Sequence, residues 1–108
     1  MKDDTTVKTT SLQVRNGSLY LDAELYRSYF QSCAAVVLLK QAAKILMMPI
    51  KQSGGGGLLI KIRNARGDRV IHAQEFFRDH GLQESPDTAL IVHWNEHMAA
   101  LEIEFPTP

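Results

Sequence analysis

A short pattern occurs twice in this 108-residue chain and constrains its fold more than any other feature. Both copies contain an aliphatic residue, Arg-Asn, a glycine turn, a short strand and a helix start with the order Glu, apolar, aromatic, Arg. The two helix starts are 51 positions apart, counted from Glu24 to Glu75 and from Arg27 to Arg78. Because a fixed internal period is the signature of a repeated structural unit, we expect two similar halves.

Each copy is predicted to contain strand, turn, strand, short helix, then strand, turn, strand. Asn16-Gly17 favours a type I′ hairpin turn, since both central residues of that turn adopt positive φ. Asp22 is placed to cap a helix over about 23–30. The second helix lacks such a cap, and Gly81 is placed to end it.

Residues 33–48 fit either a helix or a hairpin, because periodicity does not separate the two for short apolar runs. The matching stretch ends with strict alternation at Leu101, Ile103 and Phe105, which is typical of a half-buried strand. We therefore expect hairpins in both copies, and a mainly β, barrel-like fold with two short helices. The alternative is an α+β fold in which residues 33–48 are helical.

Length and composition indicate one domain, because 108 residues with 44% hydrophobic content can fill one core and each half alone is too small. Residues 1–10 are polar and are predicted to be a disordered tail before a domain over 11–108. The repeats are expected at about 12–50 and 58–105, joined by a glycine-rich linker over 52–57.

The overall charge excludes a global attraction to nucleic acid or membranes, since 12 basic residues balance 12 acidic ones. Cys33 is the single cysteine, so no intramolecular disulfide can form. The N-terminus is polar, unlike a signal peptide, and no apolar run approaches the length of a membrane span. These features predict a cytoplasmic protein with no membrane partner.

Catalytic motifs are not evident in the sequence. The four consecutive glycines lack the Lys-Ser/Thr that completes a phosphate-binding loop. We therefore predict that the chain is not an enzyme and needs no cofactor. His93 and His97 flank a predicted turn and are weak candidates for a metal site, because zinc sites require three or four ligands.

Charge is concentrated in one predicted hairpin. Residues 61–69 carry four bases and one acid, a net charge of +3, whereas residues 75–104 carry a net charge of −6. Strand alternation predicts Lys61 and Arg63 on one face, opposite Ile60 and Ile62. A ribbon bearing several arginines can lie against phosphates. The predicted DNA-contacting residues are Lys61, Arg63, Arg66, Arg69 and Arg15.

The repeated pattern resembles the AbrB/MraZ-like domains of the SpoVT-AbrB superfamily, and the double-repeat MraZ type above all. That motif runs Asp-x-Lys-Gly-Arg, then an alternating strand, then Pro-Ala-x-aromatic/Leu-Arg. The stretches that follow its outline are 17–27 and 66–73, and those that resemble its second hairpin are 36–39 and 45–49. This chain has Asn16, Ser18 and Asp22 where the motif has Lys, Arg and Pro.

The resemblance implies interleaved hairpins with pseudo-twofold symmetry and a tendency to assemble. It also implies a small bacterial transcription regulator that binds DNA as a homo-oligomer, with Arg66 and Arg69 keeping the charge of the motif in the second copy. The alternative is a non-catalytic protein-interaction module that has lost DNA binding, whose partner would meet a strand edge or an apolar patch.

Overall fold

The computed structural model describes residues 11–51, 57–82 and 88–104, and for Ser11 and Thr88 it describes the backbone alone. The predicted tail, all of the predicted linker except Gly57, and Phe105 lie outside the described residues.

Strands dominate the described chain, which contains two short helices. The elements are β1 (Ser11–Arg15), β2 (Ser18–Leu21), α1 (Ala23–Tyr29), β3 (Ala35–Gln41), β4 (Lys44–Ile50), β5 (Leu58–Leu59), β6 (Lys61–Ile62), β7 (Arg69–His72), α2 (Gln74–Asp79), β8 (Thr88–Asn95) and β9 (Ala100–Glu104). The prediction of a mainly β fold with two short helices is therefore confirmed.

The ambiguous stretch 33–48 contains a hairpin, and the helical alternative for it is wrong. β3 pairs with β4 from Ala35 to Gln41, and Ala42 at the turn has a φ of 56°. β3 also pairs with β5, and β4 also pairs with β9. Neighbouring strands on both sides supply hydrogen bonds and burial that outweigh the helix propensity of alanine and leucine.

The nine strands form one antiparallel sheet in the order β5-β3-β4-β9-β8-β1-β2-β7-β6. The two strands at the ends of this order, β5 and β6, are separated in the chain by Ile60 alone. The segment 58–62 therefore pairs with β3 through its first part and with β7 through its second. This arrangement nearly closes the sheet into a barrel, which protects strand edges from other chains.

The pairing scheme is equivalent in the two halves of the chain. β1 pairs with β2 of its own half and with β8 of the other half. The segment 58–62 pairs in the same way with β7 and with β3. The remaining strand pairings between the halves join β2 to β7 and β4 to β9. Strands of both halves thus surround one shared core.

The core lies inside the barrel. Buried residues that correspond between the two halves have a different spacing from the 51 positions counted between the helix starts. Leu19 pairs with Ile71, and both are fully buried. They are 52 positions apart, as are Leu25 and Phe77, the buried residues of the two helices. Because a one-residue shift moves a strand side chain to the opposite face, the 51-residue period aligns exposed helix residues but not the buried faces.

Candidate nucleic-acid interface

Tyr20 lies at the centre of the basic surface, on β2. The guanidinium carbon of Arg63 is 4.8 Å from the centroid of the Tyr20 ring, and that of Arg15 is 5.5 Å from it. Both distances are within the range at which a cation is attracted to an aromatic ring. Arg15 belongs to the first half and Arg63 to the second, so one ring gathers arginines from both.

Strand register places Lys61 on the same surface. Gln13 pairs with Tyr20, Tyr20 with Val70, and Val70 with Lys61. Directly paired residues point to the same face of a sheet, and this face is the outer one because Gln13 and Lys61 are exposed. We call the outward surface formed by Arg15, Tyr20, Lys61 and Arg63 the Tyr20 face.

Ile60 and Ile62 differ in burial, although both alternate in sequence with Lys61 and Arg63. Ile60 packs against the core, whereas Ile62 is 72% exposed. The strand is interrupted at Ile60, whose amide donates to the carbonyl of Ala34 at 2.9 Å. This interruption lies where the chain leaves β3 for β7.

Arg66 is held by its own turn. Its guanidinium donates to the carboxylate of Asp68, with Nη2 3.0 Å and Nε 3.3 Å from Oδ2. The amide of Asn64 donates to the same oxygen at 3.0 Å, and the other carboxylate oxygen accepts from the backbone amide of Ala23 at 2.8 Å. Arg66 is thus part of a network that fixes the turn against α1.

This network stabilises the ionised form of Asp68, which is only 7% exposed. The hydrogen bond from Asn64, followed by the one from Arg66, lowers the pKa of the Asp68 carboxyl below its ordinary value, although burial acts in the opposite direction. A carboxylate that accepts several hydrogen bonds favours its charged form. Asp68 therefore remains an anion beside the predicted basic hairpin.

Arg69 is also occupied. Its guanidinium carbon is 3.9 Å from the centroid of the Tyr26 ring on α1. Its strand partners are Leu21 and Ile62, the sequence neighbours of Tyr20 and Lys61. Arg69 therefore belongs to the opposite face of the sheet from the Tyr20 face. Of the five predicted DNA-contacting residues, the structure gathers Arg15, Lys61 and Arg63 on one surface and ties the other two to α1 and its supporting turn.

A shallow cavity of about 250 Å³ lies beside Tyr20 and Arg63. Asp22 and Asp68 also line it, so the surroundings of the Tyr20 face are not uniformly basic. Counting these two acids against the three basic residues of the Tyr20 face gives a local net charge of 3 − 2 = +1. The region is therefore weakly basic within a chain whose overall charge is zero.

The histidines proposed as weak metal candidates do not form a ligand set. His93 Nε2 lies 2.9 Å from Glu104 Oε2, and His97 is exposed in the turn after β8. Within residues 11–51, 57–82 and 88–104, no group of three or more His, Cys, Asp and Glu side chains is arranged to hold a metal ion.

Two tyrosines at the site were missed by reasoning from the sequence. Tyr20 and Tyr26 are not among the predicted site residues, yet each supports at least one arginine. Tyr20 is separated from Arg63 by 43 positions, so only the β2–β7–β6 register brings them together. The one available signal is an aromatic residue on a strand beside an arginine-bearing hairpin.

Comparison with models of protein families, with curated proteins and with solved structures finds no significant match. Among the residues that the structure describes, no helix has both the length and the apolar character needed to cross a membrane.

Proposed function

We propose that this protein binds DNA through the phosphate backbone, with Arg15, Lys61 and Arg63 as the contacting cations. The observation that carries the proposal is the placement of arginines from both halves over the single ring of Tyr20. A guanidinium can bind a phosphate through two parallel hydrogen bonds, and stacking on a ring restrains it without using its donors.

Restraint matters because ordering a long side chain costs conformational entropy on binding. An arginine that is already packed against tyrosine has lost part of that freedom in the unbound protein. The Tyr20 ring can therefore preorganise Arg15 and Arg63 for one shared phosphate or for two neighbouring ones. Lys61 adds a flexible point charge on the same outward face.

The resemblance to AbrB/MraZ-like regulators also supports a DNA-binding role. It placed the contacts in the arginine-bearing hairpin of the second copy. The proposal keeps that hairpin but moves the contacts from Arg66 and Arg69 to Arg63 and Lys61, with Arg15 added from the first copy. Arg66 and Arg69 then act as positioning residues that hold the hairpin on α1.

Affinity for one protomer should be modest and strongly dependent on salt. Three phosphate contacts predict a slope of about −2.7 for the logarithm of the binding constant against the logarithm of salt concentration. Two or more protomers acting together would steepen that slope and raise the apparent affinity. We therefore propose that binding uses a homo-oligomer that presents several Tyr20 faces.

Fluorescence anisotropy with a random-sequence duplex, from low to physiological salt, tests the proposal. Arg15→Glu/Arg63→Glu should abolish the salt-dependent signal. The matched control is Arg27→Glu/Arg78→Glu, which reverses two exposed helix arginines at equivalent places in the two halves and should leave most of the signal. Light scattering of the same samples reports the oligomeric state.

Two outcomes would reject the proposal. One is a folded wild-type protein that gives no signal even at low salt. The other is equal loss in the control and the Tyr20-face variants, since that would indicate nonspecific charge attraction. Arg66→Glu is a poor test variant, because it would also place a second carboxylate beside Asp68 and disturb the turn.

A protein-interaction module is the second candidate, favoured by apolar side chains on the outer surface of β3 and β5. Val37, Leu39 and Leu59 are all exposed there, and the β3–β5 register places Leu59 beside Ala35. Contiguous exposed apolar residues often mark contact surfaces. If Val37→Ser/Leu39→Ser changes the oligomeric state and the wild-type protein does not bind DNA, the hypothesis of a protein-interaction module replaces that of a DNA-binding regulator.

A further inference from the structure

A second surface depression lies between α1 and the end of β8, and it shares no lining residue with the cavity beside Tyr20. Its volume is about 430 Å³, within the range of small-molecule sites. Leu25, Val92 and Leu101, all members of the core, form its apolar floor. Tyr29 and Trp94 form one wall. We call this depression the aromatic cleft.

The aromatic wall is held in place by its own packing. The Tyr29 and Trp94 rings are stacked with centroids 4.6 Å apart and planes 9° from parallel. Phe30 meets Trp94 edge-on, with centroids 6.4 Å apart. Phe30 is fully buried, so Trp94 is anchored from behind, whereas Tyr29 is 38% exposed. Stacking covers one face of each ring, so the aromatic surface left for a ligand is the outer face of Tyr29.

Glu96 supplies a carboxylate at the cleft. Within the described part of the chain it makes no hydrogen bond or ion pair, in contrast to the two acids on β9. Glu102 is bonded to Asn95 and Lys44, and Glu104 is bonded to His93. The carboxylate of Glu96 is thus available to a ligand, and its charge selects a cation.

The corresponding elements, β3 of the first half and α2 of the second, lack these features. Counting back from the hairpin turns, Lys40 occupies on β3 the position that Trp94 occupies on β8, and Ala42 corresponds to Glu96. α2 has a tilted contact between Phe76 and His80 there, instead of a parallel stack. The barrel therefore forms without an aromatic and acidic cleft, so its presence near α1 is not a requirement of the fold.

We propose that the aromatic cleft binds a small organic cation with an apolar body, of the alkylated or quaternary ammonium class. The methyl groups would lie on the apolar floor, and the positive charge would meet the outer face of the Tyr29 ring and the carboxylate of Glu96. Aromatic surfaces attract such cations, and a desolvated ammonium without N–H donors binds to them in preference to water. This site is independent of the proposed DNA-binding surface.

Trp94 is the only tryptophan of the chain, so its fluorescence reports directly on the cleft. We would titrate the protein with choline and with 3,3-dimethylbutan-1-ol, which has the same shape but no charge. Choline should bind about fivefold or more tightly than the alcohol, as expected for cation–π and carboxylate attraction together. The complete chain is used throughout.

Glu96→Gln should lower the preference for choline about threefold, because the attraction between the cation and an exposed carboxylate is lost while the rings remain. The matched control is Asp79→Asn, which removes an exposed acid on α2 and should leave the preference unchanged. Tyr29→Leu should weaken choline binding while leaving the Trp94 signal available. Arg15→Glu/Arg63→Glu should leave choline binding intact.

Equal responses to choline and the alcohol, or a choline response unaffected by Glu96→Gln, would overturn the proposal. A lysine-rich peptide is the third ligand to be tested by the same titration. If the peptide perturbs Trp94 in a Glu96-dependent way and choline does not, the cleft is a peptide-docking site, and the assignment to a small cation is wrong.

Discussion

The two helix starts occupy equivalent places in the two halves, yet different chemistry holds them. At the start of α1, two carboxylates accept hydrogen bonds from backbone amides. Asp22 accepts from Leu25 at 2.8 Å as the N-cap residue, and Asp68 accepts from Ala23 at 2.8 Å. Free amides at a helix N-terminus carry partial positive charge, so two anions there are favourable.

Neutral groups position the start of α2. The N-cap position is Ala73, which has no side-chain acceptor. The carbonyl of Gly17 accepts from the Ala73 amide at 2.9 Å, and the side chain of Gln74 donates to the carbonyl of Asn16 at 3.0 Å and to the hydroxyl of Ser18 at 3.1 Å. No carboxylate takes part in these contacts.

Both junctions join a turn of one half to a helix of the other. The turn over 64–68 contacts the start of α1, and the turn at 16–17 contacts the start of α2. Each helix start is therefore held in part by a turn of the other half. The difference between the junctions predicts that stability is most sensitive to charge at α1 and to shape at α2.

The largest expected effect comes from Asp68→Ala. The substitution leaves the Ala23 amide and the Asn64 side chain without their acceptor, so unfolding free energy should fall by about 3 kcal/mol. Urea denaturation of the variant measures the change. Gln74→Ala at the other junction should cost about 1 kcal/mol or less, because its bonds are neutral and partly exposed.

Asp68→Asn is the control for shape, since it keeps an acceptor but removes the charge. We expect its loss to lie between those of Asp68→Ala and Gln74→Ala. Equal losses for Asp68→Ala and Gln74→Ala would show that the two junctions do not differ in energy, and the contrast between charged and neutral support would then have to be abandoned.

Gly17→Ala tests the role of shape at the α2 junction. Gly17 has a φ of 77°, and an added Cβ would lie 3.0 Å from the Cα of Gln74. Strain and crowding together should cost about 2 kcal/mol, measured as a shift in the urea midpoint. Gly81→Ala is the matched control, because Gly81 has a φ of 66° but open space around it, and should cost about 1 kcal/mol.

Local signals account for the parts of the fold that were predicted correctly. Asn16 and Gly17 both have positive φ, as the predicted hairpin turn requires, and Asp22 caps α1. These features depend on a few neighbouring residues. The 52-residue face offset and the interruption at Ile60 depend instead on which distant strands pair, and periodicity within one segment carries no such information.

In the candidate site, too, some features depend on neighbouring residues and others on the pairing of distant strands. The concentration of basic residues was visible in the sequence, but their partners were not. Arg66, predicted to contact DNA, is instead bonded to Asp68 two positions away. Arg63 meets Tyr20 only through the strand register, and tertiary pairing decides which arginines remain on the outer surface.

Asp22→Ala isolates the local contribution to the α1 junction from the contribution of the distant turn. Loss of an N-cap acceptor should lower the free energy of unfolding, measured by thermal denaturation, by about 1 kcal/mol. Asp22→Asn should cost much less, since asparagine caps nearly as well. If Asp22→Ala costs as much as Asp68→Ala, the helix cap and not the turn of the other half dominates this junction.

The smallest effect is the pH dependence that follows from Asp68. Its folded-state pKa lies below the ordinary value of 3.8, chiefly because of the bond from Asn64 and then that from Arg66. The unfolded chain therefore binds a proton more readily than the folded one. The stabilising contribution is complete above the ordinary value and is lost as the pH falls through the lowered value.

Urea midpoints measured from neutral pH down through this range should decline less steeply in Asp68→Asn than in the wild type. Glu102 provides a second, separate contribution of the same sign, because Asn95 and then Lys44 lower its pKa as well. Some acid sensitivity should therefore remain in Asp68→Asn and diminish further on adding Glu102→Gln. Gln74→Ala should leave the slope unchanged, and a reduced slope there would assign the acid sensitivity to the fold as a whole instead of to the charged junction.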